Sequence, residues 1–313
     1  MSPDLLQQLE ARLGPDHARR RLALEQEAEP RVFGGGLNFF HPENWYSGHR
    51  LLRTALKLSG LYWRGRRNTL RFTLEHHTIA LPHLPAAFED FRILHLTDLH
   101  TDMHPEATDA LAERVRGLTY DLCVLTGDFR AWTFGAIEPA MEGMQRLRKA
   151  LRGEIFAVLG NHDSIRMVPA LEAMGIHVLL NEAVPLRRGG ASIHLAGIDD
   201  AHYYRVDDIE RTARAVPPEA VSILLSHTPE IFRQAARAGF DVLLCGHTHG
   251  GQICLPGGFP LTIDSDCPRR LAAGPWRHGA LRGYTSRGAG TSIVEVRFNC
   301  PPEITLHRLT RGQ

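Results

Sequence analysis

Five short apolar runs in this chain each stop at a polar motif of the same kind, and that recurrence constrains the fold more than any other feature. The runs cover residues 91–97, 121–126, 154–159, 221–225 and 241–245. They lead into Asp98-Leu99-His100, Gly127-Asp128, Gly160-Asn161-His162-Asp163, Ser226-His227 and Gly246-His247-Thr248-His249. Each run is rich in Val, Ile, Leu or Phe, as expected of a strand buried on both faces. Helical patterns lie between them, over residues 105–118, 137–151 and 229–239, and Pro105 and Pro229 suit a first helical turn. Strand-helix alternation predicts a largely parallel sheet, whose ligands bind beyond the carboxyl ends of the strands. All five motifs fall at such ends. A lone DxH or GD arises by chance; all five in this order predict one shared site.

The donors are carboxylate, imidazole and amide, with no cysteine among them. That set suits Mn, Fe or Zn better than Ca or a thiolate-bound metal. Two such ions about 3.5–4 Å apart are the apparatus of phosphoester hydrolysis, with a bridging hydroxide attacking phosphorus in line. The leaving oxygen then needs a proton. His162, beside Asn161 but not required as a ligand, is the candidate general acid. Asp163 is expected to hold the His162 ring or to shape the surroundings of the ligands.

The pattern DxH, GD, GNH[DE], a lone H and GHxH resembles that of the calcineurin-like metallophosphoesterases, over residues 70–310. Residues 246–252 (GHTHGGQ), 286–290 (SRGAG) and 301–304 (PPEI) resemble the bacterial YkuE-like branch. The resemblance implies that one metal takes Asp98, His100, Asp128 and His249. It implies that the second takes Asp128, Asn161, His227 and His247, with Asp128 bridging and His162 as acid. It also implies an α/β fold: a four-layer α-β-β-α sandwich of two mixed sheets. The motif strands are expected in the first sheet. Residues 70–80, 184–198, 291–298 and 304–309 are expected to make the second, with antiparallel pairing. Two departures separate the chain from neighbours. Phe129-Arg130-Ala131-Trp132 follows the GD motif where Ser/Thr protein phosphatases carry VDRG. His162 stands where the usual proteobacterial UDP-diacylglucosamine hydrolase has arginine.

At 313 residues and 43% hydrophobic, the chain can bury a sizeable core. The expected division is an N-terminal helical extension over 1–69 and a catalytic domain over 70–313. A net charge of +1 supplies no global field for nucleic acid. The amphipathic, acid-bearing N-terminus does not read as a secretory signal, and no run is long enough to span a bilayer. The five cysteines, an odd number, fit reduced thiols and a cytoplasmic location, although a Cys254–Cys267 bridge is conceivable. Cys123 and Cys245 lie inside apolar strands.

Residues 4–28 read as a charged helix, and Gly34-Gly35-Gly36 breaks the chain after it. Residues 44–63, placed on a helix, gather Trp45, Leu51, Leu52, Ala55, Leu56, Leu58, Tyr62 and Trp63 on one face. His49, Arg50, Arg53 and Lys57 gather opposite. Arg64, Arg66, Arg67 and Arg71 follow. Over residues 44–71 this is the signature of a helix lying in a membrane interface, peripherally on the inner membrane. A helix packed on its own domain and a lid over the metal site are the alternatives.

Three functional readings follow. The first is a dimetal hydrolase of phosphoester or pyrophosphate bonds, with a membrane lipid or lipid-linked nucleotide sugar as substrate. The second is a soluble phosphodiesterase for cyclic nucleotides or other small diesters. The third is a non-catalytic, metal-stabilised interaction module. Specificity is expected from the N-terminal segment and from loops carrying Trp132, Phe134, Tyr203, Tyr204 and Trp276. His194 and His202 are within possible reach of the cleft. His76 and His77, adjacent on a strand, point to opposite faces and cannot easily share a metal.

Overall fold

The computed structural model describes residues 3–28 and 46–312, so the expectations for Gly34–Gly36 and Trp45 lie outside the described residues. The strands run in chain order from β1 (Thr73–Leu81), β2 (Arg92–Leu96), β3 (Leu122–Thr126), β4 (Glu154–Val158) and β5 (Ile176–Val178). Next come β6 (Glu182–Arg188), β7 (Ala191–Gly197), β8 (Ser222–Leu225) and β9 (Val242–Cys245). A short hairpin, β10 (Cys254–Leu255) with β11 (Phe259–Pro260), precedes β12 (Gly274–His278), β13 (Leu281–Thr285) and β14 (Glu303–Arg311). They form two six-stranded mixed sheets, ordered β1-β14-β2-β3-β4-β5 and β12-β13-β9-β8-β7-β6.

The two sheets pack face to face. Ile93, Val124 and Val158 of the first meet Ile223, Leu225 and Leu244 of the second in one buried cluster. Helices α5 (Pro105–Arg116), α6 (Glu138–Arg148) and α7 (Val168–Ala173) cover the outside of the first sheet. Helices α8 (Ile209–Arg214) and α9 (Phe232–Arg237) cover the second. The α-β-β-α sandwich is therefore as expected, but its strand content is not. The five motif strands divide between the sheets: β2, β3 and β4 in one, β8 and β9 in the other. Strand β1 does not join the second sheet; it pairs in parallel with β14 in the first. Of the segments expected in the second sheet, only the β6–β7 hairpin lies there, turning at Gly189-Gly190.

Residues 291–298 form no strand, despite their alternating apolar pattern. Their polar backbone groups are met by side chains instead. The Gln252 amide donates to the carbonyls of Ser292 and Val294 and accepts the Ser292 N–H. The Asn68 amide donates to the Arg297 carbonyl. Trp276, expected on a loop, is buried on β12, its Nε1–H donating to Thr285.

The N-terminal charged stretch is two helices, α1 (Pro3–Leu13) and α2 (Pro15–Glu27), broken at Gly14 with φ of 85° and restarted by Pro15. Leu9, Leu13, Ala18 and Leu22 join the core outside the first sheet. Arg21 is wholly buried, its guanidinium 3.5 Å over the Tyr204 ring. It donates to Glu25 at 3.0 Å and to the Asp163 carbonyl at 2.8 Å. Glu25 in turn accepts the Ser164 hydroxyl and the Ile165 N–H. Helix α2 thus grips the loop that follows β4.

Helices α3 (Tyr46–Leu58) and α4 (Leu61–Asn68) are separated at Gly60, which is left-handed with φ of 72°. Here the expected faces are turned around. His49, grouped by the sequence with the solvated cations, is buried, and Arg53 pairs inward with Glu295 at 2.7 Å. Much of the apolar face looks outward, with Leu51 69%, Leu58 85% and Trp63 61% exposed, while Leu56 and Tyr62 pack inward on Val294 and Val296. Among the described residues no helix is long and apolar enough to cross a membrane.

Candidate metal centre

The carboxyl ends of β2, β3 and β4 face those of β8 and β9 across the join between the sheets, which is how five local motifs become one site. The loops meet at close range because glycine holds the contact points. A side chain at Gly160 would run into the Asp128 carboxylate, and one at Gly246 into Thr97 and Asp98. Asp98, His100, Asp128, His247 and His249 all adopt positive φ, between 39° and 72°. Such left-handed residues cost about 1–3 kcal/mol each, and their clustering marks a functional site.

Asp98 Oδ1 lies 3.3 Å from His249 Nε2, which lies 3.1 Å from His100 Nε2. Asp128 Oδ2 lies 3.8 Å from His100 Nε2 and 3.3 Å from His227 Nε2. His227 Nε2 is 3.2 Å from His247 Nδ1. The Asn161 Oδ1 atom is buried without a hydrogen-bond partner. Asp98, His100 and His249 could hold one metal ion, and Asp98, Asp128 and His227 are also grouped closely enough to do so.

The residues fit such ions. His100 Nδ1 faces the Arg130 carbonyl at 2.8 Å, and His227 Nδ1 faces the Thr126 carbonyl at 2.7 Å. A carbonyl partner fixes the proton on Nδ1 and leaves the Nε2 lone pair aimed into the cluster. Buried carboxylates, imidazoles and an unpartnered amide oxygen, gathered together, would otherwise each carry a desolvation cost. One contact runs against the fit: Arg297 Nη2 approaches His249 Nδ1 at 3.3 Å. Metal binding through Nε2 puts the proton on Nδ1, so this contact must open.

Burial opposes a charge on His227, but Asp128 and Asp98 raise it to about 10. Burial likewise opposes a charge on Asp128, yet His227 and His162 hold that carboxyl well below its ordinary range. Asp98 stays raised, chiefly by burial.

His162 lines the cavity beside this cluster, its Nε2 3.8 Å from Asp128 Oδ2 and its Nδ1 3.1 Å from the Thr133 hydroxyl. Asp163, expected to hold the His162 ring or shape the surroundings, does the second. Its Oδ2 accepts the N–H groups of Asp128 and Gly160 and its Oδ1 that of Phe129, binding two metal-site loops together. Burial and the neighbouring Asp128 push its carboxyl up to about 7. Of the histidines outside the motifs, His202 reaches the cluster, 4.2 Å ring to ring from His247. His194 lies along β7 in register with Pro185 and Ser222. His77 is spent on a buried chain: His77 to His307 at 3.1 Å, His307 to His95 at 3.2 Å, and His95 to the Thr126 hydroxyl at 2.8 Å. All five cysteines are free thiols, and Cys254 neighbours Cys300, not Cys267.

The family model for calcineurin-like phosphoesterases matches residues 91–251, the stretch that carries all five motifs. The chain belongs to that family. It is 30% identical over 236 residues to the uncharacterized metallophosphoesterase YkoQ of Bacillus subtilis, covering 72% of this chain and 86% of that protein. It is 30% identical over 251 residues to the phosphodiesterase YaeI of Escherichia coli, with the same two coverages. To YkuE of Bacillus subtilis it is 28% identical over 243 residues, covering 74% of this chain and 84% of that protein. The chain is thus a metal-dependent phosphoesterase, and its buried His and Asp residues could hold the metal ions.

The N-terminal segment, expected to contribute to specificity or to act as a lid, and the 250–282 segment that carries Trp276 both reach this phosphoesterase site. Helix α3 lines its cavity through Gly48, His49 and Leu52, and residues 261–266 line it too. Neither carries a local motif. Only the tertiary path of the chain brings them to the metal cluster.

Proposed function

We propose that this phosphoesterase uses two metal ions to hydrolyse a phosphoester or pyrophosphate bond in a lipid or lipid-linked nucleotide sugar at a membrane surface. One ion would be held by Asp98, His100, Asp128 and His249. The other would be held by Asp128, Asn161, His227 and His247, so that Asp128 bridges. Bound ions of the Mn, Fe or Zn type would supply the nucleophilic water and neutralise charge on the phosphoryl oxygens. His162, held at Nδ1 by Thr133, directs Nε2 toward the reacting centre and would protonate the leaving oxygen. Asp163 fixes the loops from which Asp128 and His162 project.

The observation that carries the lipid reading is the inverted face of α3. Its apolar side chains are bare beside the mouth of a cavity of about 710 Å³ that contains Asp128, Asn161 and His162. Two other segments bring exposed apolar groups to the same region. Trp132 is 37% exposed near His49, and the β10–β11 hairpin and its following loop add Phe259 and Leu261. Leu52 and Leu261 both line the cavity itself. Exposed Arg50, Lys57, Arg64 and Arg67 supply the cations that anionic headgroups would meet. An apolar rim around a polar reaction centre suits a substrate with acyl chains and a phosphorylated head.

The test is Mn²⁺-dependent turnover of a UDP-linked diacyl sugar and a phospholipid on anionic vesicles, beside a soluble cyclic or linear diester. The expected result is activity on the lipid-linked substrate that falls at least about tenfold in Leu51→Glu/Leu58→Glu, with the soluble diester unaffected. Equal loss, or no loss, on both substrates would defeat the lipid reading. A second reading, a soluble phosphodiesterase, is favoured by the likeness to YaeI, which is named a phosphodiesterase. Turnover confined to soluble diesters would establish it.

A further inference from the structure

A third buried cluster adjoins the metal centre. His202, Glu230 and His247 each bring one donor atom within 4.8 Å of the others. His202 Nδ1 pairs with Glu230 Oε2 at 3.0 Å, with both side chains nearly excluded from solvent. The ring of His202 backs that of His247, with centroids 4.2 Å apart at 50°. His247 turns Nδ1 toward His227, and its opposite nitrogen, Nε2, is buried without a hydrogen-bond partner. Glu230 also reaches elsewhere: its Oε1 accepts the Ser265 hydroxyl at 3.1 Å and the Asp266 N–H at 2.8 Å. Ser265 and Asp266 also line the cavity.

We propose that Glu230 and His202 form a positioning pair for His247, setting the ring that serves the second metal and tying it to the loop that lines the cavity. The inference rests on the two-metal reading above. A free imidazole on a sharp turn can rotate, and His247 has positive φ and no backbone carbonyl on its second nitrogen. His100 and His227 are oriented by carbonyls; His247 is oriented by another ring, itself anchored by a carboxylate. Outer partners of this kind typically change metal affinity by about 10–100-fold when removed. Because Glu230 holds both His202 and the 265–266 loop, substrate contact with that loop can reach the second metal without touching a ligand.

The experiment is Mn²⁺ binding to the full chain by equilibrium dialysis with elemental analysis, on wild type, His202→Ala, Glu230→Gln and the double variant. Wild type should bind two equivalents. Each single variant should weaken one equivalent by about 10–100-fold and keep the other. The double variant should be no worse than the worse single, since the pair acts as a unit. Glu230→Gln keeps the side-chain volume, so its effect separates positioning from loss of packing. Two tight equivalents in every variant would overturn the pair's role. Parallel weakening of both equivalents would also overturn it, by indicating general damage to the fold. A third equivalent in wild type, lost in His202→Ala, would overturn it in favour of a separate cation site. Failure of wild type to bind two equivalents would instead defeat the two-metal reading, and this inference with it.

Discussion

The two halves of the N-terminal region make opposite use of amphipathic helix. In α1–α2 the sequence is crowded with charge, yet Arg21 ends wholly buried and the helices join the core of the first sheet. In α3–α4 the pattern is more sharply amphipathic, yet Leu51, Leu58 and Trp63 stay in solvent while His49 and Arg53 turn inward. The difference teaches that pattern alone does not choose which face is covered. Helix α2 finds a buried counter-charge in Asp199, beside its own Glu25, and a carbonyl on the Asp163 loop. Helix α3 finds a polar partner in Glu295 and a cavity beside it, which leaves Leu51 and Leu58 without a covering layer.

The largest expected effect tests the buried half. Arg21→Ala leaves Glu25 buried without its cation and Asp199 with His17 alone, and should cost about 3–5 kcal/mol in urea unfolding. A loss near zero would mean that α2 is only draped over the core. The exposed half is tested next by Leu51→Glu/Leu58→Glu. Two leucines that leave water at about 1.5–3 kcal/mol each imply at least about a 100-fold loss of affinity for anionic vesicles. Because both are exposed, folding stability should change by no more than about 0.5 kcal/mol. Destabilisation without a change in vesicle binding would mean that the two halves do not differ in kind.

Gly65→Ala probes how α4 is fixed. A Cβ there would meet the Val296 and Phe298 side chains at 2.6 and 2.7 Å. Overpacking of this kind should cost about 1–3 kcal/mol, read as a lowered melting temperature. An unchanged melting temperature would show α4 to be loosely attached.

The smallest effect contrasts a buried charge with buried neutral groups. Burial lowers His95 to about 4, and His307 and His77 are lowered for the same first reason. Their folded pKa values lie below the unfolded value near 6.5, so the unfolded chain binds more protons between those limits. Stability should therefore be full above about pH 6.5 and fall as the pH drops toward 4. The slope is at most about 1.4 kcal/mol per pH unit for each histidine. Urea titrations at pH 7.5 and 5.5 measure it, and His95→Gln/His307→Gln should flatten that part of the slope. Arg21, charged in both states, should contribute no such slope.

How much was legible depended on the range of the interaction. The ligand motifs could be read because each is contiguous and ends a strand: Asp98 follows β2, Asp128 follows β3 and His247 follows β9. The assignment of strands to sheets could not be read. A buried parallel strand is apolar on both faces in either sheet, so β3 and β8 look alike in sequence. Residues 291–298 misled for a related reason. Their alternation matches a strand, but Gln252 and Asn68, brought in by the fold, occupy backbone groups that a neighbouring strand would need.

The sequence by itself determined the chemistry: which side chains can donate to a metal, their order, and their place at the ends of buried strands. Those properties are local, set by residue type and by the period of the backbone. Only the tertiary structure decided that two sheets pack face to face with their carboxyl ends at the site, that Asp163 ties loops instead of holding the His162 ring, and that α3 turns Leu51 and Leu58 outward. Those outcomes depend on which distant groups, such as Glu295, Asp199 and Glu230, are present to satisfy a buried charge, and no local pattern records them.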